Sequence, residues 1–222
     1  KTTGIDGIQE RSTAANRATP TESDHTYELS AVFGGGNHAA YVPDDLDNGY
    51  AEVFINGCDD VSINSVYGGG NAASTPATDV IVQGAYEIEY VFGGGNGAGT
   101  GNPGANVGYY AYPDNISGSN QVAAREGYKY GSGKAQTGIF GGRIHKVFGG
   151  SNTKGNVRTA TVAMLDEKSD CKLEMDGFYG GGKSAYMEGK TQIELGCISG
   201  LDEIYGGAEQ ADVGSHVVLT LT

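Results

Sequence analysis

The chain has 222 residues, of which 39 are glycine and only 5 proline. It lacks the three-residue period of collagen, and 38% hydrophobic content with 14 tyrosines is enough to fold. Lys and Arg number 14 against 27 Asp and Glu, a formal net charge of −13 that repels phosphate backbones and anionic headgroups and excludes nucleic acid as a partner.

In chain order, residues 1–26 are polar and form an N-terminal end or capping segment. Val32-Phe33-Gly34-Gly35-Gly36-Asn37 then introduces a hexapeptide that organises everything after it. An acidic loop over 43–49 carries Asp44, Asp45, Asp47 and Asn48, half of a calcium loop without the glutamate that would complete it. No cofactor is expected: the loop reads as a solvated surface turn, with calcium held by Asp44, Asp45 and Asp47 as the alternative. Val53-Phe54-Ile55 reads as a short strand, Val61-Ser62-Ile63 as a second, and Val66-Tyr67-Gly68-Gly69-Gly70-Asn71 repeats the hexapeptide. Val80-Ile81-Val82, Ile88-Glu89-Tyr90-Val91 and Val91-Phe92-Gly93-Gly94-Gly95-Asn96 follow in the same order.

From 97 to 133 a Gly-, Asn- and Ser-rich insertion bears Tyr109, Tyr110, Tyr112, Tyr128 and Tyr130, after which Ile139-Phe140-Gly141-Gly142 is expected to resume the repeat. Three degenerate copies complete the series: Val147-Phe148-Gly149-Gly150-Ser151-Asn152, Phe178-Tyr179-Gly180-Gly181-Gly182-Lys183 and Ile204-Tyr205-Gly206-Gly207-Ala208-Glu209. Gln192-Ile193-Glu194-Leu195 and Val217-Val218-Leu219 are further strands, the last ending on an apolar pattern that invites end-to-end self-association.

The first glycines stand at 34, 68, 93, 149, 180 and 206, a unit of about 25 residues with insertions. Short period-2 strands, glycine bends and no 3.6-residue pattern predict an all-β, right-handed, single-stranded parallel β-helix of about six or more coils, a single domain over 1–222 cut from a longer protein. Leucine-rich repeats need more leucine, and propeller blades need longer units. The residue before each aromatic should point inward as an aliphatic ladder. The aromatics Phe33, Tyr67, Phe92, Phe148, Tyr179 and Tyr205 should face out or lie at a corner, either as an aromatic ladder or as flat faces for sugar rings. The glycines should adopt positive φ at a tight corner. Asn37, Asn71, Asn96 and Asn152 should form an amide ladder from coil to coil. Cys58, Cys171 and Cys197 each precede a glycine motif by 9 or 10 residues and share one corner; free thiols are expected, because a directly stacked pair such as Cys171 and Cys197 has poor bond geometry.

Chemistry-bearing signals are sparse. His25, His38, His145 and His216 sit in unrelated contexts, and the Gly-His-Gly and Arg-x-Lys strings of pectin hydrolases are absent. Lys154 and Arg158 are the cations placed to meet an acidic sugar, without an evident carboxylate cluster beside them. No catalytic residue is assigned. The glycine turns precede no helix and so are not phosphate loops. No run of about 18 apolar residues is present to insert into a membrane.

The Val-(Tyr/Phe)-Gly-Gly-Gly-Asn copies, with strands such as Thr78-Asp79-Val80-Ile81-Val82-Gln83-Gly84 between them, resemble the repeats of large secreted or surface-anchored β-helix proteins of gut-type Gram-negative bacteria. The resemblance spans about residues 27–222 outside the insertions. It implies an extracellular or cell-surface, adhesin-like module, with signal and anchor elsewhere and a glycan or host surface protein as partner; it transfers no binding residue. The expected function is non-catalytic adhesion or glycan binding, with Tyr109, Tyr110, Tyr112, Tyr128 and Tyr130 as candidate ligand-binding residues. A structural spacer of a surface protein and a polysaccharide lyase are the alternatives.

Overall fold

The computed structural model describes residues 27–98, 105–110, 128–168 and 170–222, and within them every element is β. The strands are β1 (Leu29–Phe33), β2 (Ala51–Tyr67), β3 (Thr78–Phe92), β4 (Tyr109–Tyr110), β5 (Tyr128–Lys129), β6 (Lys134–Ile139), β7 (Gly142–Phe148), β8 (Ala160–Leu165), β9 (Leu173–Tyr179), β10 (Lys190–Leu195), β11 (Leu201–Tyr205) and β12 (Val217–Leu221). Apart from a small antiparallel β4–β5 pair, all pairing is parallel.

Two parallel series run up the molecule. One stacks the first half of β2 on β3, β6, β8, β10 and β12; the other stacks β1 on the second half of β2, then β3, β7, β9 and β11. Isolated parallel bridges joining Thr75, Val107 and Val157, and Met187 with Val213, line a short third side. The chain is thus a β-solenoid whose six glycine corners close about five turns. We number the rungs by their strands: β1 in rung 1, β2 in rung 2, β3 in rung 3, β6 and β7 in rung 4, β8 and β9 in rung 5, β10 and β11 in rung 6, and β12 in rung 7.

Burial explains the alternation. Val53, Val80, Ala163 and Ile193, then Ile55, Val82, Ile139 and Leu165, then Ile63, Ile88, Ile144 and Met175, then Val66, Val91, Val147 and Phe178 form inward columns of one apolar core. Each column removes its side chains from water at about 25 cal/mol per Å² of apolar surface. In β12 the alternation continues but every residue is exposed, with Leu221 at 69%.

Three expectations need correction here. The glycines of the hexapeptide do not use positive φ, which among described glycines occurs only at Gly97, Gly108, Gly131, Gly133, Gly142 and Gly155. They are glycine because successive corners touch backbone to backbone: a Cβ on Gly93 would strike the carbonyl oxygen of Gly149, and the same relation links Gly34, Gly68, Gly149 and Gly180 to the next rung. The third position holds Ser151 in rung 4 and Ala208 in rung 6; the Ser151 hydroxyl accepts from the Gly95 amide at 3.1 Å. Ile139-Phe140-Gly141-Gly142 is not a copy of that corner either. It forms the opposite corner of rung 4, between β6 and β7. The third correction concerns the cysteines: Cys58 and Cys171 are joined in a disulfide and Cys197 alone is free.

The disulfide has a structural reason. Rung 4 turns through only Phe140 and Gly141, whereas rung 2 bulges between Gly57 and Ser62 and rung 5 carries a longer loop after Leu165. The two excursions meet over Gly84 of rung 3, where a Cβ would lie 2.6 Å from the Cys58 sulfur and 2.9 Å from that of Cys171. The Cα atoms stand 5.6 Å apart, within the ordinary range for a bridge. Stacking neighbours alone do not show this pairing, because the loops span rungs.

Candidate functional site

The outward side of the β2–β3–β6–β8 series carries an apolar column in direct register: Phe54 opposite Ile81, Ile81 opposite Gly138, Gly138 opposite Met164. Phe54 is 54% exposed and Met164 39%. Gly138 leaves room for the Phe140 side chain, which folds back over it so closely that a Cβ there would stand 2.8 Å from the ring. A shallow groove of about 250 Å³ follows the column from Ile81 to Met164, lined by Asp79, Ile81, Gln136, Phe140, Val162 and Met164 among others, with Phe54 in register beyond it. On the other side of Phe140 it meets a second hollow of about 580 Å³, lined by Asn56, Cys58, Gln83, Phe140, Lys168 and Asp170.

Local structure sets Phe140 there. Gly142 adopts φ +102° directly over the Ala85 backbone, a conformation open to glycine and not to a side chain in that space. This tight corner is pinned by the Phe140 amide donating to the Val82 carbonyl at 2.8 Å and by the Lys168 amide donating to the Phe140 carbonyl at 3.1 Å. The Lys168 ammonium lies 5.6 Å from the Phe140 ring centre and pairs with Asp166 at 2.8 Å. The disulfide closes one end of the larger hollow through Cys58.

Polar groups border the apolar floor on both sides. One rim carries Glu52, Asp79 and Gln136 in register, with the Gln136 amide 3.4 Å from Asp79. Burial, and secondarily the charge of Glu52, raise the Asp79 carboxyl above the usual aspartate range against the opposing Gln136 bond. The other rim presents Asn56 and Gln83, then Lys168 and Asp170. Apolar floor and flanking amides and carboxylates make a surface suited to a ligand with apolar faces and peripheral hydroxyls.

The residues singled out in the sequence are distributed differently. Tyr112 lies outside the described residues, as do His25 and the 1–26 segment. Tyr110 and Tyr128 pair across β4–β5. The Tyr109 hydroxyl donates to Glu188 at 2.7 Å; that bond is the main reason its pKa is raised. Tyr130 is buried, its hydroxyl 3.3 Å from the Tyr41 carbonyl oxygen. Asp45 spends its carboxylate on the turn itself, accepting from the amides of Asp47 and Asn48 and from the Asn48 side chain, each at 3.1 Å. Among the described residues no three His, Cys, Asp or Glu side chains converge on a metal-sized site.

The aromatic series is a single pile of rings from Phe33 through Tyr67, Phe92, Phe148 and Tyr179 to Tyr205, with centroids 4.8–5.0 Å apart and planes within 12°. Tyr67, Phe92 and Phe148 are buried, so the pile presents its edge rows to its neighbours and no sugar-binding face at mid-height. Beside it, Asn71 donates to Asn37, Asn96 to Asn71 and Asn152 to Asn96, each at 2.8 Å.

Two arrangements escape sequence reasoning. Thr78, Thr161 and Thr191 occupy one column and donate to the carbonyls of Gly93, Gly180 and Gly206 at 2.6–2.7 Å, bracing the glycine corners from inside the rung. On the outer face of the second series, His145 of β7 meets Asp176 of β9 at 2.7 Å and Glu87 of β3 at 3.0 Å, with Glu89 at 3.9 Å. The Glu87 bond, opposed by burial and reinforced by Asp176 and Glu89, raises the imidazole to about 9. The cluster ties three rungs together by charge. Compared with known proteins, the chain matches no family model, no curated protein and no solved structure.

Proposed function

We propose that this chain is a non-catalytic, extracellular, adhesin-like module that binds glycan through the groove around Phe140. The observation that carries the reading is the in-register column Phe54, Ile81, Gly138 with Phe140 laid over it, and Met164, bordered by amides and carboxylates. Pyranose rings bind through their C–H faces on apolar or aromatic surface and through their hydroxyls to amides and carboxylates at the edge, and the groove offers both. The Cys58–Cys171 disulfide supports an oxidising, extracytoplasmic setting.

A glycan and mucin array compared between the wild type and Phe140→Ala tests the reading. Saturable signal in the wild type that falls at least about tenfold in the variant is expected, a loss of about 1.4 kcal/mol. Repeating the array with a chelator asks whether the Asp44, Asp45 and Asp47 turn contributes through calcium. Silence of the wild type across the array turns the assignment to a structural spacer. That second reading draws on the unbroken ring pile and asparagine ladder, which stiffen a rod whether or not it binds anything.

A further inference from the structure

Resting on that reading, we infer that the ligand is an uncharged, extended glycan chain lying along the solenoid axis, one sugar ring to each rung from rung 2 to rung 5. The floor residues are direct register partners, so successive apolar patches are separated by the rise of the solenoid, about 4.8 Å. The rise per sugar of a diequatorially linked pyranose chain is close to that spacing. A chain that runs along the groove over Met164, the Phe140 ring above Gly138 and Ile81, and continues onto exposed Phe54, the register partner of Ile81, meets all four in turn, whereas a branched or coiled glycan meets one or two of them.

Charge selects among such chains. Glu52, Asp79 and Asp170 stand on the rims, and among the described residues lining the two hollows the one cation, Lys168, is paired with Asp166. With a net charge of −13 behind them, these carboxylates repel uronic and sialic acids and leave their oxygens to accept from neutral hydroxyls. Asn56, Gln83 and Gln136 supply donors as well as acceptors, which suits a hydroxyl-rich ligand. The column also has an end. In rung 6 the position opposite Met164 is Glu194, so the apolar floor covers four rungs and stops.

Calorimetric titration of the intact chain with neutral β-linked gluco- and manno-oligosaccharides of two to six sugars, and with uronate oligomers of the same lengths, tests this. Affinity is expected to rise up to the tetrasaccharide and then level off, with uronates at least about tenfold weaker at equal length. Met164→Glu, an exposed change that brings the rung 6 residue type into rung 5, should shorten the plateau to three sugars and weaken binding without altering the melting temperature; Phe140→Ala should weaken every length. Affinity independent of length, or uronates binding as well as neutral chains, overturns the inference. Should a branched or acidic glycan on the array still bind in a Phe140-dependent way, the glycan-binding reading survives without it; if no glycan binds at all, both fall.

Discussion

The Phe140 ring rests on Gly138, its edge occupying the space in which any Cβ on residue 138 would lie, 2.8 Å away. A turn belonging to one corner thereby places an aromatic face on the sheet two residues earlier. Gly138→Ala is expected to push the ring off the floor, because the obstructing atom belongs to the end of a side chain that can swing. Stability should change by less than about 1 kcal/mol, while glycan affinity falls about as far as in Phe140→Ala. Denaturant titration alongside glycan binding separates the two quantities, and an unchanged affinity would mean that the ring does not form the floor.

The glycine corners make a sharper stability prediction. Gly93→Ala directs a methyl group at the Gly149 carbonyl oxygen of the next rung, and backbone stacked on backbone has no rotamer through which to yield. The expected loss is about 3 kcal/mol or more. At Gly207 a Cβ meets nothing within 4 Å, so Gly207→Ala should stay within about 0.5 kcal/mol of the wild type. Equal urea midpoints for the two variants would refute close approach as the reason for the motif.

Much of this architecture is legible in the sequence, and the reason is repetition. Each inward residue, such as Val66, Val91 or Val147, recurs at one phase of the unit, and recurrence at one phase in a solenoid means stacking. The groove is not legible in that way. Phe54, Ile81 and Met164 look like ordinary members of alternating strands until register aligns them, and Phe140 imitates a repeat copy while sitting at the opposite corner. The tyrosines of the 97–133 insertion attract notice by density alone, yet Tyr130 is buried and Tyr109 is bonded to Glu188. His145 illustrates the same limit: Glu87 and Asp176 lie 58 and 31 residues away in sequence, and only the rungs bring them within 3.0 Å.

The His145 cluster ties stability to pH. A histidine whose folded pKa is raised, here from 6.5 to about 9, contributes stability that is fully present below 6.5 and is lost as pH rises through about 9. Glu87 and Glu89 on β3, Asp176 and Glu174 on β9 and Arg143 on β7 face the same place, so the comparison must hold them constant. Melting temperatures of the wild type and His145→Gln at pH 6, 8 and 10 supply it. The gap between the two proteins should be widest at pH 6, clearly smaller at pH 8 and nearly closed at pH 10; a gap independent of pH would show that the imidazole is not the group being titrated.

The Cys58–Cys171 bridge closes a loop of 113 residues, the kind of long closure for which chain entropy gives the largest effect. Reduction, or Cys58→Ser with Cys171→Ser, is expected to lower stability by about 2–4 kcal/mol. Cys197→Ser, at an exposed thiol, should leave the melting temperature unchanged and the bridge intact. Peptide mapping without reductant should recover the 58–171 crosslinked pair and free 197. Because Cys58 also lines the larger hollow beside Phe140, reduction should weaken glycan binding more than it changes the far-UV spectrum. A 171–197 crosslink in the map would instead mean that the rung 5 loop folds toward rung 6, leaving the end of the groove open.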